Sequence, residues 1–553
     1  MTKSHSDIAH QYARDIVAKK IPAGKYIIAA CKRHLEDLRR SESGESRWFY
    51  DEKLGNRFCK FVELMPHTKG KWARERQKLK LEPWQCFLVA SIFGWVDRIT
   101  KLRKHRQAIL LVPRKNGKSQ LAAAIGLAML TIDGEEGAEI YSGATTQKQA
   151  FEVFTPAKIM CEKSPALVEK FGIESRAQSI IKPIDGSKLE PIIGNPGDGS
   201  SPHCAIVDEY HEHTDDRQVE TMVTGMGARE QPLLLVITTA GDNLAGPCYQ
   251  MQLDCQAILD GVKEDPTVFS LIYSIDRGDD WQDLNNVIKA NPNYGVSVSA
   301  DFLEVQLNQA KQTPRKQSIF QTKHCNVWVG ARDAFYNVQK WIDLGKEIDL
   351  KKYLGCKAYI GLDLASKVDV SCVALYLMPE GQKPLCVVKS YLPSDTIYNN
   401  DMYMGWANDG WITSTDGSII DQDLIKDDIL SLCSDFDVKE VAIDPHMAVK
   451  ITTELMAEGV PVVEVSPSMV NFSEPMKQLE ADILSENISH NGCPVMTWMI
   501  SNVTTKENYK GQVYPRKERD ENKIDGVVAL IIAMGRAMVH EEPMSVDDWL
   551  NNM

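Results

Sequence analysis

Short apolar stretches that end in polar or charged residues recur along this chain. Residues 110–121, LLVPRKNGKSQL, begin as an apolar strand, pass through a polar turn and continue into the helical run LAAAIGLAML. Two similar strands follow: one runs into the acidic pair of residues 203–210, HCAIVDEY, and the other, residues 232–237 (PLLLVI), stops at TTAG. Strands that alternate with helices and carry polar residues at their ends predict a parallel α/β sheet with a site along one edge.

The polar turn of the first segment has the composition of a phosphate-binding loop. Loop and helix-start N–H groups can bind phosphate, Lys118 can reach the β and γ oxygens of a nucleoside triphosphate, and the Ser119 hydroxyl can bind Mg²⁺. Val112 stands where the usual pattern has an earlier glycine, so a surface turn is the alternative for these residues alone. The predicted nucleotide-binding residues of the loop are Arg114, Asn116, Gly117, Lys118 and Ser119.

Polar residues at the ends of three further segments fit an ATP site. Asp208 and Glu209 follow a strand about 90 residues downstream, where one acid could hold the Mg²⁺ shell and the other polarise water. Thr238 and Thr239 could sense the γ-phosphate, and the Gln85 amide could pair with adenine. The alternatives are a solvated turn for the acidic pair, an ordinary strand-to-turn junction for the two threonines and a surface residue at a helix start for Gln85.

Three acids in the second half of the chain predict different chemistry. Asp363 lies in the buried strand that opens YIGLDLASKVDVSCVALY, Asp444 ends the strand VAID, and Asp525 opens the apolar helix VVALIIAMGRAMV. Two acids on strands and one at a late helix start form the layout of a ribonuclease-H-like nuclease, in which carboxylates hold two divalent ions. Taken singly, Asp363 could be a hydrogen-bonded core acid, Asp444 a turn residue and Asp525 a helix-start carboxylate.

The ordered set of motifs resembles the large subunit of the tailed-bacteriophage terminase. The similarity covers nearly the whole chain and includes PWQ, VPRKNGKS, YSGATTQKQA, IVDEYH, ITTAG, FQTKHCNVW, GLDLAS, VAIDP and KIDGVVAL. The resemblance implies an α/β protein, with a P-loop (RecA/ASCE-like) parallel-sheet ATPase domain followed by a ribonuclease-H-like mixed-sheet nuclease domain. It also implies an ATP-driven motor that moves double-stranded viral DNA into the procapsid and an endonuclease that cuts concatemeric DNA.

The same resemblance assigns roles to the candidate residues. Lys118, Ser119 and Asp208 would bind the triphosphate and Mg²⁺, with Glu209 as the hydrolytic base, Thr238 and Thr239 as the coupling motif and Gln85 as the adenine reader. Asp363, Asp444 and Asp525 match the metal-binding triad, where Mn²⁺ is an alternative to Mg²⁺. The arginine finger stays open between Arg114 and Arg229, and a fourth nuclease acid between Asp369 and Glu521. The implied partners are double-stranded DNA, a small terminase subunit, the portal protein of the procapsid and further copies of the chain in a ring.

The length of 553 residues predicts several domains. We predict a basic helical lid or brace at residues 1–80, the ATPase domain at 81–260, a connecting segment at 261–345, the nuclease domain at 346–540 and an acidic tail at 541–553. The tail, with Trp549 and Leu550, is either a docking peptide for the portal or a frayed terminus.

Charge is distributed unevenly along the chain. Residues 1–80 hold 19 Lys and Arg against 10 Asp and Glu, a net charge of +9, and because the whole chain carries −13, the remainder carries −22. A basic aromatic stretch just before Asp525 could steer a DNA strand, or it could be an exposed hairpin with solvated charges. Its residues are Lys506, Tyr509, Lys510, Tyr514, Arg516, Lys517 and Arg519.

Other features exclude a membrane or secreted protein. No apolar run reaches the roughly 18 residues that a membrane span needs, and the N-terminus lacks the apolar stretch of a signal peptide. The 13 cysteines are scattered without a CxxC pair, so we expect small buried hydrophobes in a reducing compartment, the host cell cytoplasm. Two other functions share some of these motifs: a superfamily 2 helicase or translocase fused to a nuclease, and a non-catalytic ATP-binding assembly protein with a vestigial nuclease fold.

Overall fold

The computed structural model shows two compact units, Met1–Val329 and Gly330–Met553. The structure describes residues 3–194, 197, 199–244, 246–312, 314–329, 334–365, 370–445, 448–518 and 522–540. Asp369, Glu521, Arg519 and the tail at 541–553 lie outside the described residues, so the predictions made for them stay predictions.

The first unit alternates helices and strands, as the sequence predicts. Its helices are α1 (His5–Val17), α2 (Lys25–Glu42), α3 (Glu52–Leu64), α4 (Gly70–Arg74), α5 (Pro83–Gly94), α6 (Lys118–Thr131), α7 (Gln147–Glu162), α8 (Pro165–Phe171), α9 (Arg217–Gly225), α10 (Pro247–Leu259), α11 (Leu284–Ala290), α12 (Ala300–Gln312) and α13 (Pro314–His324). Its strands are β1 (Trp48–Tyr50), β2 (Trp95–Asp97), β3 (Gln107–Leu111), β4 (Glu139–Ala144), β5 (Glu174–Ser175), β6 (Ile180–Lys182), β7 (Ser187–Ile193), β8 (Cys204–Asp208), β9 (Leu233–Thr238) and β10 (Val268–Ile272).

Eight of these strands form one sheet in the order β10-β3-β9-β8-β4-β7-β6-β5. The strands from β10 to β7 are parallel, and β6 and β5 add an antiparallel edge. Strand β9 lies between β3, which carries the phosphate-binding loop, and β8, which carries the acidic pair. This insertion is the RecA/ASCE-like arrangement, and the predicted fold class of the unit is confirmed.

Burial explains why the central strands read as continuous apolar runs. Every residue of β8 and β9 is buried, which is expected for a parallel sheet with helices on both faces. Helix α6 is apolar on all sides and nearly wholly buried, because it packs between the sheet and α3 and α7. The motifs at the strand ends are therefore carried by a rigid core.

The sheet continues beyond residue 260, the predicted end of the ATPase domain. Strand β10 pairs with β3 along five residues, and the polar helices α11, α12 and α13 pack around a small core that includes Trp281 and Phe320. The first unit therefore extends to Val329. The predicted connecting segment at 261–345 falls on both sides of this boundary, because five buried residues, four of them apolar, are enough to complete a sheet edge.

The second unit contains a mixed sheet. Its helices are α14 (Val338–Asp343), α15 (Ser394–Tyr398), α16 (Asp401–Asn408), α17 (Gln422–Asp435), α18 (Val449–Ala457), α19 (Met469–Leu484), α20 (Pro494–Asn502) and α21 (Asp525–Val539). Its strands are β11 (Lys357–Asp363), β12 (Ser371–Leu377), β13 (Leu385–Pro393), β14 (Ile412–Thr415), β15 (Asp437–Ile443), β16 (Val462–Glu464), β17 (Ser489–His490), β18 (Val503–Glu507) and β19 (Val513–Lys517).

The strand directions of this sheet match the predicted ribonuclease-H-like fold. The order is β14-β13-β12-β11-β15-β16; β11, β12 and β13 are antiparallel neighbours, whereas β15 runs parallel to both β11 and β16. Strands β18 and β19 form a separate antiparallel hairpin from most of the basic aromatic stretch. In the parts of the chain that the structure describes, no helix is long and apolar enough to cross a membrane.

Helix α21 crosses β11 at very close range. A Cβ atom added to Gly361 would overlap the carbonyl oxygen of Ala529 and would lie 2.8 Å from the main-chain nitrogen of Ala533. Because backbone atoms of both elements are held by their own hydrogen bonds, neither can move aside. The absence of a side chain at Gly361 therefore sets the distance between helix and sheet.

We expect Gly361→Ala to destabilise the second unit by at least about 2 kcal/mol, since overpacking against backbone has no cheap relaxation. Urea unfolding followed by circular dichroism measures this change. Gly405→Ala in α16 is the matched control, because nothing lies within 4 Å of its added Cβ atom, and alanine should be neutral or stabilising there. Equal stability of the two variants would contradict the packing argument.

Candidate functional site

The phosphate-binding loop lies at the carboxyl end of β3, beside the end of β9. The main-chain N–H of Val112 donates to the carbonyl oxygen of Thr238 at 3.0 Å and holds the two strand ends together. Lys115 and Gly117 have φ values of +72° and +83°, a left-handed conformation that turns the chain into α6. The first N–H groups of α6 thus face the same strand-end edge, which suits phosphate binding.

Four side chains from distant segments meet at this loop. The Lys118 ammonium donates to Glu209 Oε1 at 2.7 Å and lies 4.0 Å from Asp208 Oδ1. The Ser119 hydroxyl donates to Asp208 Oδ2 at 3.0 Å. Side-chain exposure is 10% for Lys118 and 2% for Asp208, so these contacts lie in a low-dielectric environment. The structure thus brings together the lysine, the hydroxyl and both acids that the sequence predicts.

The two acids differ in their electrostatic environment. Burial, together with the charge of Glu209, raises the pKa of Asp208 to about 6, although Lys118 opposes this shift. Burial acts to raise the pKa of Glu209 as well, but the charges of Lys118, His211 and Arg114 lower it overall. Glu209 also has a left-handed φ of +52°, which is unusual for a residue with a side chain. A strained, charged carboxylate at the end of a buried strand is typical of a functional position.

The hydroxyl groups at the tip of β9 donate hydrogen bonds to neighbouring main-chain carbonyl oxygens. The buried Thr238 hydroxyl donates to the carbonyl oxygen of Thr239 at 3.0 Å, and the Thr239 hydroxyl donates to that of Ala240 at 3.0 Å. The main-chain N–H of Ala240 donates in turn to Asn326 Oδ1 at 2.6 Å. The tip is thereby tied to the segment at residues 320–329.

His211 connects this tip to the acidic pair and to α13. Its main-chain N–H lies 3.1 Å and its Nδ1 3.0 Å from the Thr238 hydroxyl oxygen, and Nδ1 is 3.2 Å from Glu209 Oε2. The Lys323 ammonium lies 3.2 Å from His211 Nε2, with Glu212 Oε1 at 3.3 Å from the same nitrogen.

Two neighbours of opposite charge contact Nε2 of His211. The Lys323 ammonium only donates and the Glu212 carboxylate only accepts, so they favour opposite protonation states of this nitrogen. Burial lowers the pKa of His211, whereas its hydrogen bond with Glu212 acts to raise it. Lys323 and Glu212 thus both contact a histidine that touches the acidic pair and the tip of β9.

Asn116 supports the loop from inside. Its buried amide nitrogen donates to the carbonyl oxygen of Pro113 and to Asn291 Oδ1, both at 3.1 Å, and its Oδ1 accepts from the main-chain N–H of Asn293 at 3.0 Å. The Ser297 hydroxyl donates to the carbonyl oxygen of Lys115 at 2.6 Å. The Asn116 side chain is therefore a support of the loop, and any nucleotide contact from this residue would come from its backbone.

A pocket of about 240 Å³ opens beside the loop. Gln85 lies in its wall, where Oε1 accepts from the main-chain N–H of Glu82 at 3.0 Å. The amide nitrogen of Gln85 lies 3.9 Å from the position of a Cβ atom added to Gly117. The lining residues are His67, Trp72, Gln77, Lys78, Leu79, Lys80, Leu81, Glu82, Gln85, Gly117, Gln120, Leu121, Asn293, Val296 and Ser297.

The two candidate arginines lie at opposite ends of the parallel strands: Arg114 follows β3, and Arg229 precedes β9. Arg114 is exposed within the loop, and its main-chain N–H donates to the carbonyl oxygen of Lys323 at 3.1 Å. Arg229 lies at the other end, where it donates to the carbonyl oxygens of Ser201 and Gly137 and to Glu135. Arg229 is thus a structural residue and cannot reach the nucleotide loop of its own chain.

Strand register brings the nuclease candidates to one edge of the second sheet. Leu362 on β11 pairs with Ile443 on β15, so the next residues, Asp363 and Asp444, are neighbours across the two strands. Asp525 begins α21, the helix that packs on Gly361 of β11. All three acids are half-buried.

The negative charges of these acids raise the pKa values of neighbouring side chains. Burial and then the charges of Asp525 and Asp363 raise the pKa of Cys372, and burial and then Asp444 and Asp363 raise that of Tyr514. Cys372 and Tyr514 therefore lie beside overlapping pairs of the three acids. Within the described ranges, no three His, Cys, Asp or Glu side chains are already arranged to hold a metal ion. The all-oxygen donor set of the three acids is the one that Mg²⁺ and Mn²⁺ prefer.

Comparison with known proteins decides between the functions that these two sites allow. A family model described as terminase large subunit, ATPase domain, matches residues 83–255, and one described as terminase large subunit, endonuclease domain, matches residues 262–541. Protein YmfN of Escherichia coli (strain K12) is 41% identical over 372 residues, which cover 64% of this chain and 82% of that protein.

The large terminase subunit of Enterobacteria phage HK97 is 26% identical over 516 residues, 90% of this chain and 98% of that protein. A crystal structure of the HK97 bacteriophage large terminase aligns with a TM-score of 0.44 at 24% identity, over 87% of this chain and 99% of that chain.

The chain belongs to the terminase large subunit family.

This terminase is an enzyme with an ATPase domain and an endonuclease domain, the two parts of a phage DNA-packaging motor and nuclease. It therefore uses a nucleotide and divalent metal ions and binds DNA. The family and the class of enzyme predicted from the sequence are confirmed, and the helicase and assembly-protein alternatives are not favoured. Residues 262–329 match the endonuclease model, although in this terminase they pack with the ATPase sheet.

Several supports of the terminase site were not predicted from the sequence. They are Trp84, His211, Asn291, Asn293, Ser297, Lys323 and Asn326. The polar cluster NPNYGVS was a signal for a special loop, and FQTKHCNVW was among the segments that carried the family resemblance. Neither pattern indicates its partner, because the contacts join residues more than 80 positions apart.

We expect Lys323→Met to lower kcat for ATP hydrolysis about tenfold with an unchanged KM, because loss of a charge-assisted hydrogen bond of roughly 1.4 kcal/mol releases His211 without touching the nucleotide. Lys316→Met on the same helix is the control, since that exposed lysine binds only Gln309 among the described residues. Steady-state kinetics of both variants measure the difference. A higher KM at normal kcat in Lys323→Met would contradict this role.

Proposed function

We propose that this terminase hydrolyses ATP at the loop of residues 112–119 and uses the energy to move double-stranded DNA. The supporting observation is the meeting of Lys118 with Glu209 and of Ser119 with Asp208, pairs that lie 91 and 89 residues apart in the chain. A surface turn with a stray lysine would not bury these four side chains together.

The contacts suggest an order of events. An incoming triphosphate offers Lys118 a stronger anionic partner than Glu209, so Lys118 turns to the β and γ oxygens and releases the Glu209 carboxylate. Glu209 is then free to orient and deprotonate the attacking water. Ser119 and Asp208, whose oxygens are 3.0 Å apart, would hold Mg²⁺, which neutralises phosphate charge when bound.

Other residues complete the nucleotide site in this proposal. The amide nitrogen of Gln85 donates to adenine in the adjoining pocket, while Gly117 and Asn116 contribute loop backbone to the phosphates. Arg114, which is exposed beside the acidic pair, stabilises charge on the γ-phosphate. Thr238 and Thr239 transmit the loss of that phosphate through their hydrogen bonds at the tip of β9.

We propose that Asp363, Asp444 and Asp525 form the endonuclease site. The strand register and the close packing of α21 support this assignment, since they direct all three acids to one edge. The carboxylates would hold Mg²⁺, or Mn²⁺ as an alternative, and such ions supply Lewis acidity for attack on a phosphodiester. The β18–β19 hairpin, which holds Lys506, Arg516 and Lys517, would guide the DNA strand toward these acids.

The larger assembly is proposed from the family. A small terminase subunit would deliver concatemeric viral DNA, the portal protein of the procapsid would receive it, and copies of this chain would form a ring in the host cell cytoplasm. In a ring, a neighbour could supply an arginine to this site. We assign residues 1–80 as a lid or brace of the motor and 346–540 as the nuclease domain. The acidic tail at 541–553 is either a docking peptide for the portal or a frayed terminus.

Two substitutions test the motor. We expect Lys118→Ala to weaken ATP binding and reduce hydrolysis at least 100-fold, because it removes a charged phosphate ligand. Glu209→Gln should retain ATP binding and lose hydrolysis to a similar extent. Nucleotide binding and phosphate release, measured side by side, distinguish the two effects. Normal turnover in Glu209→Gln would reject Glu209 as the base.

Substitution of two aspartates, one at each end of β15, tests the nuclease assignment. We expect Asp444→Ala to abolish plasmid cleavage in Mg²⁺ or Mn²⁺ while ATP hydrolysis continues, because the two sites use different residues. Asp437→Ala is the matched control at the far end of β15, where the carboxylate pairs with Lys439. Cleavage that survives in Asp444→Ala, or is lost equally in both variants, would reject the assignment.

A further inference from the structure

The segment between α3 and α5 concentrates positive charge in a compact fold. Residues 65–81, MPHTKGKWARERQKLKL, contain six Lys and Arg residues and one acid. The main-chain N–H of His67 donates to the carbonyl oxygen of Gln77 at 3.0 Å, and that of Leu79 to the carbonyl oxygen of Met65 at 2.8 Å. The segment therefore folds back on itself with α4 near its tip, and we call it the basic hairpin.

Five of the six cations of the basic hairpin form no ion pair within the part of the chain that the structure describes. Lys69 pairs with Glu152 at 3.3 Å, but the other five are exposed and form no ion pair with any residue that the structure describes. Elsewhere in the unit, by contrast, Arg103 is bound by Asp133. Like charges crowded into one short segment repel each other, and a bound polyanion relieves that repulsion. The five are Lys71, Arg74, Arg76, Lys78 and Lys80.

Helix α3 extends the positive surface. Lys53, Arg57 and Lys60 are exposed at i, i+4 and i+7 spacing, which puts them on one face of the helix over about 10 Å. The hairpin starts where α3 ends, and Glu63 Oε1 accepts the main-chain N–H of Leu81 at 3.0 Å. This hydrogen bond fixes the base of the hairpin to the last turn of the helix, so the two groups of cations belong to one local surface.

The chemistry of this surface favours nucleic acid over a protein partner. Protein interfaces have aromatic and apolar centres and few lysines, whereas Leu64 at the end of α3 is the single exposed large hydrophobic side chain among residues 52–81. Rows of Lys and Arg without apolar neighbours bind phosphate backbones irrespective of base sequence. We propose that the basic hairpin and the exposed face of α3 bind the phosphate backbone of double-stranded DNA, and that nucleotide in the adjoining pocket changes their affinity.

The link to nucleotide comes from the inner side of the same hairpin. His67, Trp72 and Lys78 line the pocket opposite Gly117 and Gln85, and the rings of His67 and Trp72 are 4.8 Å apart. A base or ribose that contacts these residues acts directly on the segment that carries the cations. Binding linkage is reciprocal, so DNA on the outer side must change nucleotide affinity by the same factor. This part of the inference rests on the proposed nucleotide site.

The test measures binding of a short DNA duplex to the full chain over a range of salt concentrations. The variant Lys71→Gln/Arg74→Gln/Arg76→Gln neutralises three exposed cations that do not line the pocket. Each lost phosphate contact lowers the slope of log K against log salt by about 0.9, so the slope should become shallower by about 2 to 3. At about 0.1 M salt, binding should be at least tenfold weaker.

The control removes the same charge elsewhere in the unit. Lys32→Gln/Lys163→Gln/Lys170→Gln replaces exposed cations on other helices and should leave the slope unchanged. Wild-type affinity for DNA should also differ at least about fivefold, the lower end of the usual range of couplings, between ADP and a non-hydrolysable ATP analogue, and the hairpin variant should lose this difference.

Each contrary outcome is informative. Equal slopes in the hairpin variant and the control would overturn the DNA surface, and equal wild-type affinity in both nucleotides would overturn the linkage. Unchanged DNA binding with loss of procapsid docking would assign the surface to a protein partner instead. ATP hydrolysis measured in the same samples separates the two levels of inference: wild-type protein that does not hydrolyse ATP rejects the proposed nucleotide site, whereas normal hydrolysis with equal slopes rejects only this surface.

Discussion

The burial of two adjacent carboxylates is the constraint on which the ATPase unit depends. Asp208 and Glu209 leave water at the end of β8, and an uncompensated buried charge would cost several kcal/mol. Compensation comes from Lys118 and Ser119, which begin α6 beyond a strand that is not adjacent to β8. Because β9 separates β3 from β8, the two strand ends leave a crevice between their loops where a ligand can enter. Sheet order, loop conformation and helix position together bring Lys118 and Ser119 into contact with the acidic pair.

The residues that support the crevice are mainly neutral amides. Asn116, Asn291, Asn293 and Asn326 connect the phosphate-binding loop and the tip of β9 to segments that follow the sheet. An amide both donates and accepts, so it can join two backbone segments without adding charge to a site whose balance depends on one lysine and two acids. These amide supports carry no charge, whereas Lys323, through its contact with His211, and Arg114 add further cations near the acidic pair.

The second unit assembles its candidate site in a different way. Its three candidate acids converge at a sheet edge through backbone geometry, above all through the contact of Gly361 with α21. The half-buried carboxylates of Asp363, Asp444 and Asp525 supply the oxygen donors that divalent ions such as Mg²⁺ prefer. The ATPase site holds a cation of its own, Lys118, beside the acidic pair.

The sequence by itself determined the features that are local. A short apolar run that stops at charged residues is readable without a fold, so the strands before Asp208, Asp363 and Asp444 and the helix after Asp525 could be predicted, and with them the order of the two domains. Only the tertiary structure decided which polar side chains act as supports. It turned Asn116 inward and completed the sheet with β10, and it left five of the six cations of the basic hairpin without an acidic partner among the described residues. The physical reason is that a hydrogen bond or ion pair depends on distances between segments far apart in the chain, and neither periodicity nor composition encodes those distances.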